Sequence, residues 1–212
     1  THSSPRCVRV LGWETTKHGP AILLEYVEGV NLKDLILRSP KIEWLEVLAQ
    51  IYEGLRDLSG AGLFHGDLTP RNIMVSTNGN VKLLDFGVGT RDDDYGTPRY
   101  LSPDRLNGGS ISFKSDLFAL AIIKKEIFDK TFRRLTQGMN WRSRSEKFAL
   151  EVDAHLGEIL NYISSSSHQQ RGNIRRQIGD QILEIYESGQ EEWTATVRQN
   201  GSKNQKNSLI GH

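Results

Sequence analysis

The chain has 212 residues, of which 37% are hydrophobic and 25% are charged, and its formal net charge is +1. This length suffices for one well-buried domain or two small ones, and the near-zero charge excludes a general attraction to nucleic acid or to an anionic membrane. The single cysteine, Cys7, excludes an intrachain disulfide, which favours a reducing compartment and a cytoplasmic location. No stretch approaches the roughly 18 apolar residues of a membrane span.

The first forty residues predict two strands and a short helix. Apolar runs at residues 7–11 and 21–24 flank a polar connector, which is a strand, loop, strand pattern. Asn31 can cap a helix that continues to Leu37, and a proline after Ser39 ends it. A longer helix is predicted over residues 42–59, because apolar side chains recur there at helical spacing: Trp44, Leu48, Ile51, Tyr52, Leu55 and Leu58.

The next stretch, FHGDLTPRNIMVSTNGNVKLLDFG, reads as a polar loop followed by a β-hairpin. The turn residues at 76–80 separate two short apolar runs. Such a hairpin brings Asp67, Asn72 and Asp85 to one end, although they lie apart in sequence. Carboxylate and amide oxygens grouped in this way suit phosphoryl transfer from a nucleotide held by Mg²⁺.

The stretch from His65 to Gly87 resembles the catalytic and metal-binding loops of the protein kinase superfamily, H-x-D-x-x-x-x-N followed by D-F-G. The resemblance implies an α+β, protein-kinase-like fold: mostly the helical large lobe, plus the last two strands and the hinge of the small lobe. It implies that Asp67 is the catalytic base and that Asn72 and Asp85 bind Mg²⁺. His65 is then structural and braces the loop against the Asp-Phe-Gly backbone.

Upstream, the resemblance covers the ATP-binding hinge. Leu24 stands at the gatekeeper position, and the backbone from Glu25 to Val27 faces the adenine edge. Asn31 stands where a ribose contact is usual, and Met74 supports the adenine ring from the large lobe. The cofactors implied are ATP and Mg²⁺.

Downstream, the segment GTPRYLSPD resembles the kinase signature G-T-P-x-Y-x-[AS]-P-E, the peptide-docking end of the activation segment. Its Thr97 is typical of Ser/Thr-specific protein kinases, so a protein substrate is expected to dock near Gly96–Asp104. Residues 115–123 resemble the start of the central helix of the large lobe, with Asp116 as the acid that ties this helix to the catalytic loop.

After Phe128 the resemblance fades, and pattern alone predicts helices over residues 148–163 and 173–193. The polar residues 194–212 predict a disordered tail. Three arginines of this region are predicted to lie on solvated faces: Arg171, Arg175 and Arg176.

Three departures from the family pattern keep alternatives open. Gly66 replaces an arginine that often clamps a phosphorylated activation loop, and Thr69 replaces a lysine that neutralises the transferred phosphoryl group. The Gly-rich loop, the strand lysine and its glutamate partner are absent from the sequence, and the first residue is Thr1. We therefore expect an N-terminally truncated Ser/Thr protein kinase. A pseudokinase-like binding scaffold and a small-molecule phosphotransferase of the aminoglycoside or choline kinase type are the alternatives.

The expected domain organisation has three parts. Residues 1–30 are the remnant of the small lobe and the hinge, residues 31–193 are the large lobe, and residues 194–212 are the tail. No nucleic-acid partner and no membrane segment are expected, and the sequence does not predict the oligomeric state.

Overall fold

A computed structural model describes residues 4–86, 96–129, 146 and 148–208, with side chains described as far as residue 191 and at residue 194. Gly87, the last residue of the Asp-Phe-Gly motif, lies outside the described residues. No helix in the described part combines the length and the apolar character that crossing a membrane requires.

The chain begins with an antiparallel ribbon of two strands, β1 (Val10–Thr16) and β2 (Gly19–Leu24). The predicted strand pair is present, but β1 starts later than expected. Residues Cys7 and Val8 instead run beside Leu83, and the Val8 N–H donates to its carbonyl oxygen at 2.9 Å. The ribbon contributes little to the core, since its large apolar side chains stay 39–74% exposed: Val10, Leu11, Trp13, Ile22, Leu23 and Leu24.

A second sheet contains the predicted hairpin. Strands β4 (Ile73–Ser76) and β5 (Val81–Leu83) pair antiparallel, which confirms the hairpin. A short strand that the sequence did not predict, β3 (Gly29–Asn31), pairs with β4 on its other side, in the order β3-β4-β5. The segment before β3 therefore leads directly into the sheet that contains the predicted hairpin.

Helix α1 (Leu32–Arg38) follows β3 without a break. The side chain of Asn31 accepts a hydrogen bond from the Asp34 N–H at 3.0 Å, so the predicted cap is confirmed. Ser39 ends the helix in the left-handed conformation, with φ of 50°. Helix α1 thus ends at Arg38, and the residue before Pro40 leaves the right-handed helical conformation, as the following proline favours.

The core lies between α2 (Trp44–Gly60) and α4 (Phe113–Phe128), which pack against each other; α2 also packs against β5. A single turn of helix, α3 (Pro103–Leu106), precedes α4. The apolar face of α2 is buried as its spacing predicts, and α4 is buried almost all round. A reciprocal cap between Ser112 and Ser115 starts α4, which fixes the position of Asp116 in its first turn.

Two helices complete the chain, α5 (Val152–Ser165) and α6 (His168–Ser208). Where the sequence predicts a helix that ends near residue 193 and a disordered tail after it, the structure has one helix to Ser208. The first half of α6 is held by packing against α2, β3 and β4. Once those turns are formed, each further residue adds a hydrogen bond without a new nucleation step, so the helix continues to Ser208 although this run holds the weak helix formers Asn, Ser, Thr and Gly.

A buried ionic cluster holds α6 against α2. Glu46 is fully buried and accepts hydrogen bonds from Arg171 and Arg175, each at 2.6 Å. Arg171 also reaches Glu53 at 2.6 Å, and Glu53 pairs with Arg6 at 3.1 Å. The prediction that Arg171 lies on a solvated face is wrong, because its side chain is compensated by two carboxylates of α2 and is buried between the two helices.

Candidate active site

The loop that precedes the hairpin is fixed by one buried carboxylate. Asp116, in the first turn of α4, accepts the His65 N–H at 2.8 Å and the Gly66 N–H at 3.0 Å. Gly66 has φ of 82°, a conformation that glycine adopts without strain, and it lets both N–H groups point at one acid. This contact bears out the expectation that Asp116 ties the central helix to the catalytic loop. Burial raises the pKa of Asp116, while the two N–H groups and the charge of Arg105 lower it. Burial is the larger effect, and the pKa is raised to about 6.

His65 is packed as a neutral side chain. It is fully buried, and neither ring nitrogen makes a well-formed hydrogen bond to a described residue. Burial lowers its pKa to about 4, although the Asp67 charge and nearby main-chain groups, including those of Leu84, act in the other direction. The imidazole therefore packs inside the protein near the main chain of Leu84. Because it is buried and neutral, it is poorly placed to exchange protons with a substrate.

The structure brings Asp67 and Asn72 together through a tight turn. Pro70–Asn72 form one turn of 3₁₀ helix, and the Asn72 side-chain N–H₂ donates to the main-chain oxygen of Asp67 at 2.9 Å. The main-chain carbonyl oxygen of Asn72 accepts the Leu84 N–H at 2.9 Å, which places the residue before Asp85 against the same turn. The three predicted site residues therefore converge at one end of the hairpin.

Asp85 leaves β5 in the left-handed conformation, with φ of 51°. Few residues other than glycine adopt this conformation, and aspartate tolerates it better than most. Its side chain is exposed. Strand β5 ends at Leu83, so Asp85 follows it at the open end of the hairpin, opposite the turn, and its carboxylate stands there.

The donor set at this end fits Mg²⁺. The Asn72 amide is oriented by its own N–H₂ bond to Asp67, and its side-chain oxygen has no hydrogen-bond partner among the described residues. Together with the Asp85 carboxylate, it offers oxygen ligands of the kind that Mg²⁺ prefers. The described residues, this end of the hairpin included, contain no group of three His, Cys, Asp or Glu side chains that could hold a metal, so the fit depends on the Asn72 oxygen and the Asp85 carboxylate.

On the nucleotide side, the hinge is tied to the hairpin by Glu25. Its carboxylate pairs with Lys82 at 2.6 Å and with Arg9 at 2.8 Å. Burial alone would raise the pKa of Glu25, but the hydrogen bonds from Lys82 and Arg9 outweigh it and lower the pKa to about 2. The resemblance implies that the hinge contacts adenine through its backbone, so this side-chain anchor of Glu25 was not predicted. Lys82 was missed, although its place beside Met74 on the hairpin was the available signal.

The register of the sheet puts three of these residues in one row. Asn31, Met74 and Lys82 are directly paired across β3, β4 and β5, so their side chains share one face. Asn31 also caps α1, which orients its side chain toward Asp34. Leu24 is 39% exposed and Val27 is half-buried, so both remain accessible at the hinge.

The segment Gly96–Asp104 packs directly on the catalytic loop. The Thr97 N–H donates to Asp67 Oδ1 at 2.8 Å, a contact between residues 30 apart that spacing alone does not predict. The Tyr100 hydroxyl donates to Glu126 of α4 at 3.1 Å, and burial together with the Glu126 charge raises the Tyr100 pKa. Ser102 caps α3 through the Arg105 N–H. The segment is thereby held between Asp67 and the central helix.

Comparison with known proteins agrees with this geometry. The sequence matches the protein kinase domain over residues 1–188. It is 33% identical over 144 residues to the serine/threonine-protein kinase pkn3 of Myxococcus xanthus, an alignment that covers 56% of this chain and 26% of the relative. It is 32% identical over 141 residues to the serine/threonine-protein kinase PknB of Mycobacterium leprae, covering 59% of this chain and 23% of the relative.

The PknB of Mycolicibacterium smegmatis is 33% identical over 132 residues, covering 55% of this chain and 21% of that protein. The chain thus spans about a quarter of the length of these curated relatives. The domain match, in contrast, extends over most of the chain, and it includes the catalytic loop, the hairpin and the segment packed on Asp67. The chain therefore belongs to the protein kinase family.

Proposed function

We propose that this chain carries the catalytic part of a kinase that transfers a phosphoryl group from ATP to serine or threonine hydroxyls of proteins. The observation that carries the proposal is the hydrogen bond from the Thr97 N–H to Asp67 Oδ1 at 2.8 Å. It joins the candidate base to the segment that resembles a peptide-docking loop, so a hydroxyl presented by a docked peptide would lie beside the carboxylate. A small-molecule phosphotransferase has no need of that segment.

Each polar side chain at the open end of the hairpin then has a role. Asp67 orients the substrate hydroxyl and accepts its proton, while Asp116 holds the loop through the N–H groups of His65 and Gly66. The protein kinase family uses ATP with Mg²⁺, and the oxygens of Asn72 and Asp85 are the ligands that would hold the metal. When bound, Mg²⁺ neutralises charge on the phosphates.

The adenine end would be bordered by the hinge. Leu24 and Val27 offer accessible apolar surface, and Met74 lies in the row of side chains that Lys82 links to Glu25. Asn31 stands in the same row, next to the position proposed for the ribose. Because Glu25 is anchored through its side chain, its backbone is held in place for contacts with the base.

Substitution of the base tests the proposal. Phosphate transfer from labelled ATP in the presence of Mg²⁺ is measured with an acidic and a basic carrier protein in parallel. Asp67→Asn should lower the rate at least about a hundredfold, because a neutral amide cannot accept the proton, while binding of a fluorescent ATP analogue is retained. Asp153→Asn, an exposed acid at the start of α5, is the matched control and should keep the wild-type rate.

The same assay separates the alternatives. Equal rates for wild type and Asp67→Asn would remove Asp67 from this role. Wild-type protein that binds the analogue but transfers no phosphate to either carrier would indicate a binding scaffold. Transfer to aminoglycosides or amino alcohols, but not to proteins, would indicate a small-molecule kinase.

A further inference from the structure

A cleft of about 540 Å³ opens beside the catalytic loop. Its described walls come from α1, from the loop residues Thr69, Pro70 and Arg71, from the segment Gly96–Asp104 and from Glu126 of α4. Thr97 lines the cleft, and its N–H donates to Asp67, so a wall of the cleft contacts the candidate base directly. A substrate peptide bound in the cleft would therefore be able to place the hydroxyl of a neighbouring serine or threonine at Asp67.

Among the described residues that line the cleft, positive charges outnumber negative ones. Glu126 is almost fully buried, and its carboxylate is occupied by Arg99 and by the Tyr100 hydroxyl. Lys33 and Arg71 have no ion pair with any described residue, and both side chains are at least partly exposed. The net charge of the chain is only +1, so this positive charge is a local property of the cleft.

The remaining walls favour a peptide over a bare anion. Ile36, Leu37, Pro70 and Tyr100 line the cleft with apolar surface, and Leu37 is 68% exposed. Apolar surface next to a few charged groups is typical of sites that bind organic ligands, since the apolar part contributes affinity and the charges contribute orientation. Acidic side chains on such a ligand would pair with the two cations.

We propose that this cleft selects protein substrates with acidic residues next to the phosphorylated serine or threonine, and that Lys33 and Arg71 determine this preference. The inference rests on the proposed function, since it assigns the substrate class of that site. The two cations lie on different elements, α1 and the catalytic loop, so they can contact two acidic residues of one segment.

Peptide binding tests the preference without requiring turnover. Fluorescently labelled peptides of equal length carry alanine in place of the acceptor serine, with acidic residues before it, acidic residues after it, basic residues or neutral residues. At least one acidic peptide should bind the wild-type chain about tenfold more tightly than the neutral peptide. Affinity should fall when salt is raised from about 0.1 M to about 1 M, because the screening length shortens from about 10 Å to about 3 Å.

Charge reversal identifies the cations. Lys33→Glu and Arg71→Glu should each weaken binding of the acidic peptide about tenfold, since each replaces an attraction by a repulsion. Lys17→Glu, in the turn of the exposed ribbon, and Arg56→Glu, on the exposed side of α2, make the same change in net charge. Both control variants should stay within about twofold of wild type, because exposed charges away from the ligand are screened.

Several outcomes would overturn the proposal. Similar affinities for the acidic, neutral and basic peptides would do so, and so would equal weakening by the control variants. Competition by an oligonucleotide as effective as competition by the acidic peptide would reveal a general polyanion surface. Phosphate transfer to proteins without any acidic preference would refute the proposed role of the cleft but would leave the proposed function standing. Specific acidic-peptide binding without phosphate transfer to any protein would support the cleft and refute the proposed function.

Discussion

Asp116 offers the sharpest test of how the catalytic loop is held. Its carboxylate accepts two main-chain N–H groups, from His65 and Gly66, and is 3% exposed. In Asp116→Asn the side chain keeps one acceptor oxygen and turns an N–H₂ group toward the second donor. One buried N–H group is then left without an acceptor, and the variant carries no titrating group at this position.

The pH dependence follows from the raised pKa. The Asp116 pKa is about 6 in the folded protein against an ordinary value of 3.8, so this group stabilises the fold at low pH and loses that contribution as pH rises through 6. Between pH 7 and pH 4, the free energy of unfolding of wild type should therefore rise by about 2 kcal/mol relative to Asp116→Asn. His65 titrates in both proteins, and its contribution cancels from the difference.

Urea denaturation at half-unit pH steps measures this difference, with Asp153→Asn as the control that should follow wild type throughout. A difference that stays constant, or that shrinks in acid, would refute the reasoning. Either result would mean that the two N–H groups lower the Asp116 pKa at least as much as burial raises it. Asp116 is a positioning residue, so the variant should also lower the rate of phosphate transfer more than it changes nucleotide affinity.

Three further predictions concern stability and use the same denaturation assay. Arg171→Met should cost about 3–5 kcal/mol because it removes a partner of the fully buried Glu46, and a loss below 1 kcal/mol would contradict the ionic role. Gly79→Ala should cost at least about 2 kcal/mol more than Gly62→Ala. Both glycines have positive φ, but only the Cβ at Gly79 would lie 1.8 Å from a carbonyl oxygen of α6. The free energy of unfolding of wild type minus that of His65→Gln should fall by about 3 kcal/mol between pH 8 and pH 4. Burial lowers the His65 pKa from 6.5 to about 4, so the neutral imidazole stabilises the fold fully above pH 6.5 and loses this contribution as the pH falls. A constant difference would argue against a buried neutral imidazole.

The parts of the site that lie close together in sequence were predictable. The turn residues between two short apolar runs predicted the hairpin, and the spacing of Asp67, Asn72 and Asp85 predicted their convergence. The cap at Asn31 and the buried face of α2 were also predictable, since both depend on residues within one or two turns of each other. Local hydrogen bonds and periodicity leave a direct trace in the order of residues.

Contacts between distant residues left no such trace. Arg171 and Glu46 are 125 positions apart, and Lys82 and Glu25 are 57 apart. An arginine in a helix looks the same in sequence whether it faces water or a buried carboxylate on another helix. The cleft was equally invisible, because its walls combine α1, the catalytic loop and α4, and only packing brings Lys33 and Arg71 to one surface.

The order of residues alone predicted the groups on which the proposed chemistry depends: the candidate base, the two proposed Mg²⁺ ligands and the segment that resembles a docking loop. How those groups are held follows only from the packing of distant elements. Asp116 must reach across from α4 to bind the loop, and the Thr97 N–H must meet Asp67. Such pairings depend on how the helices and the sheet pack, and packing energy is shared among many apolar contacts that no single motif records.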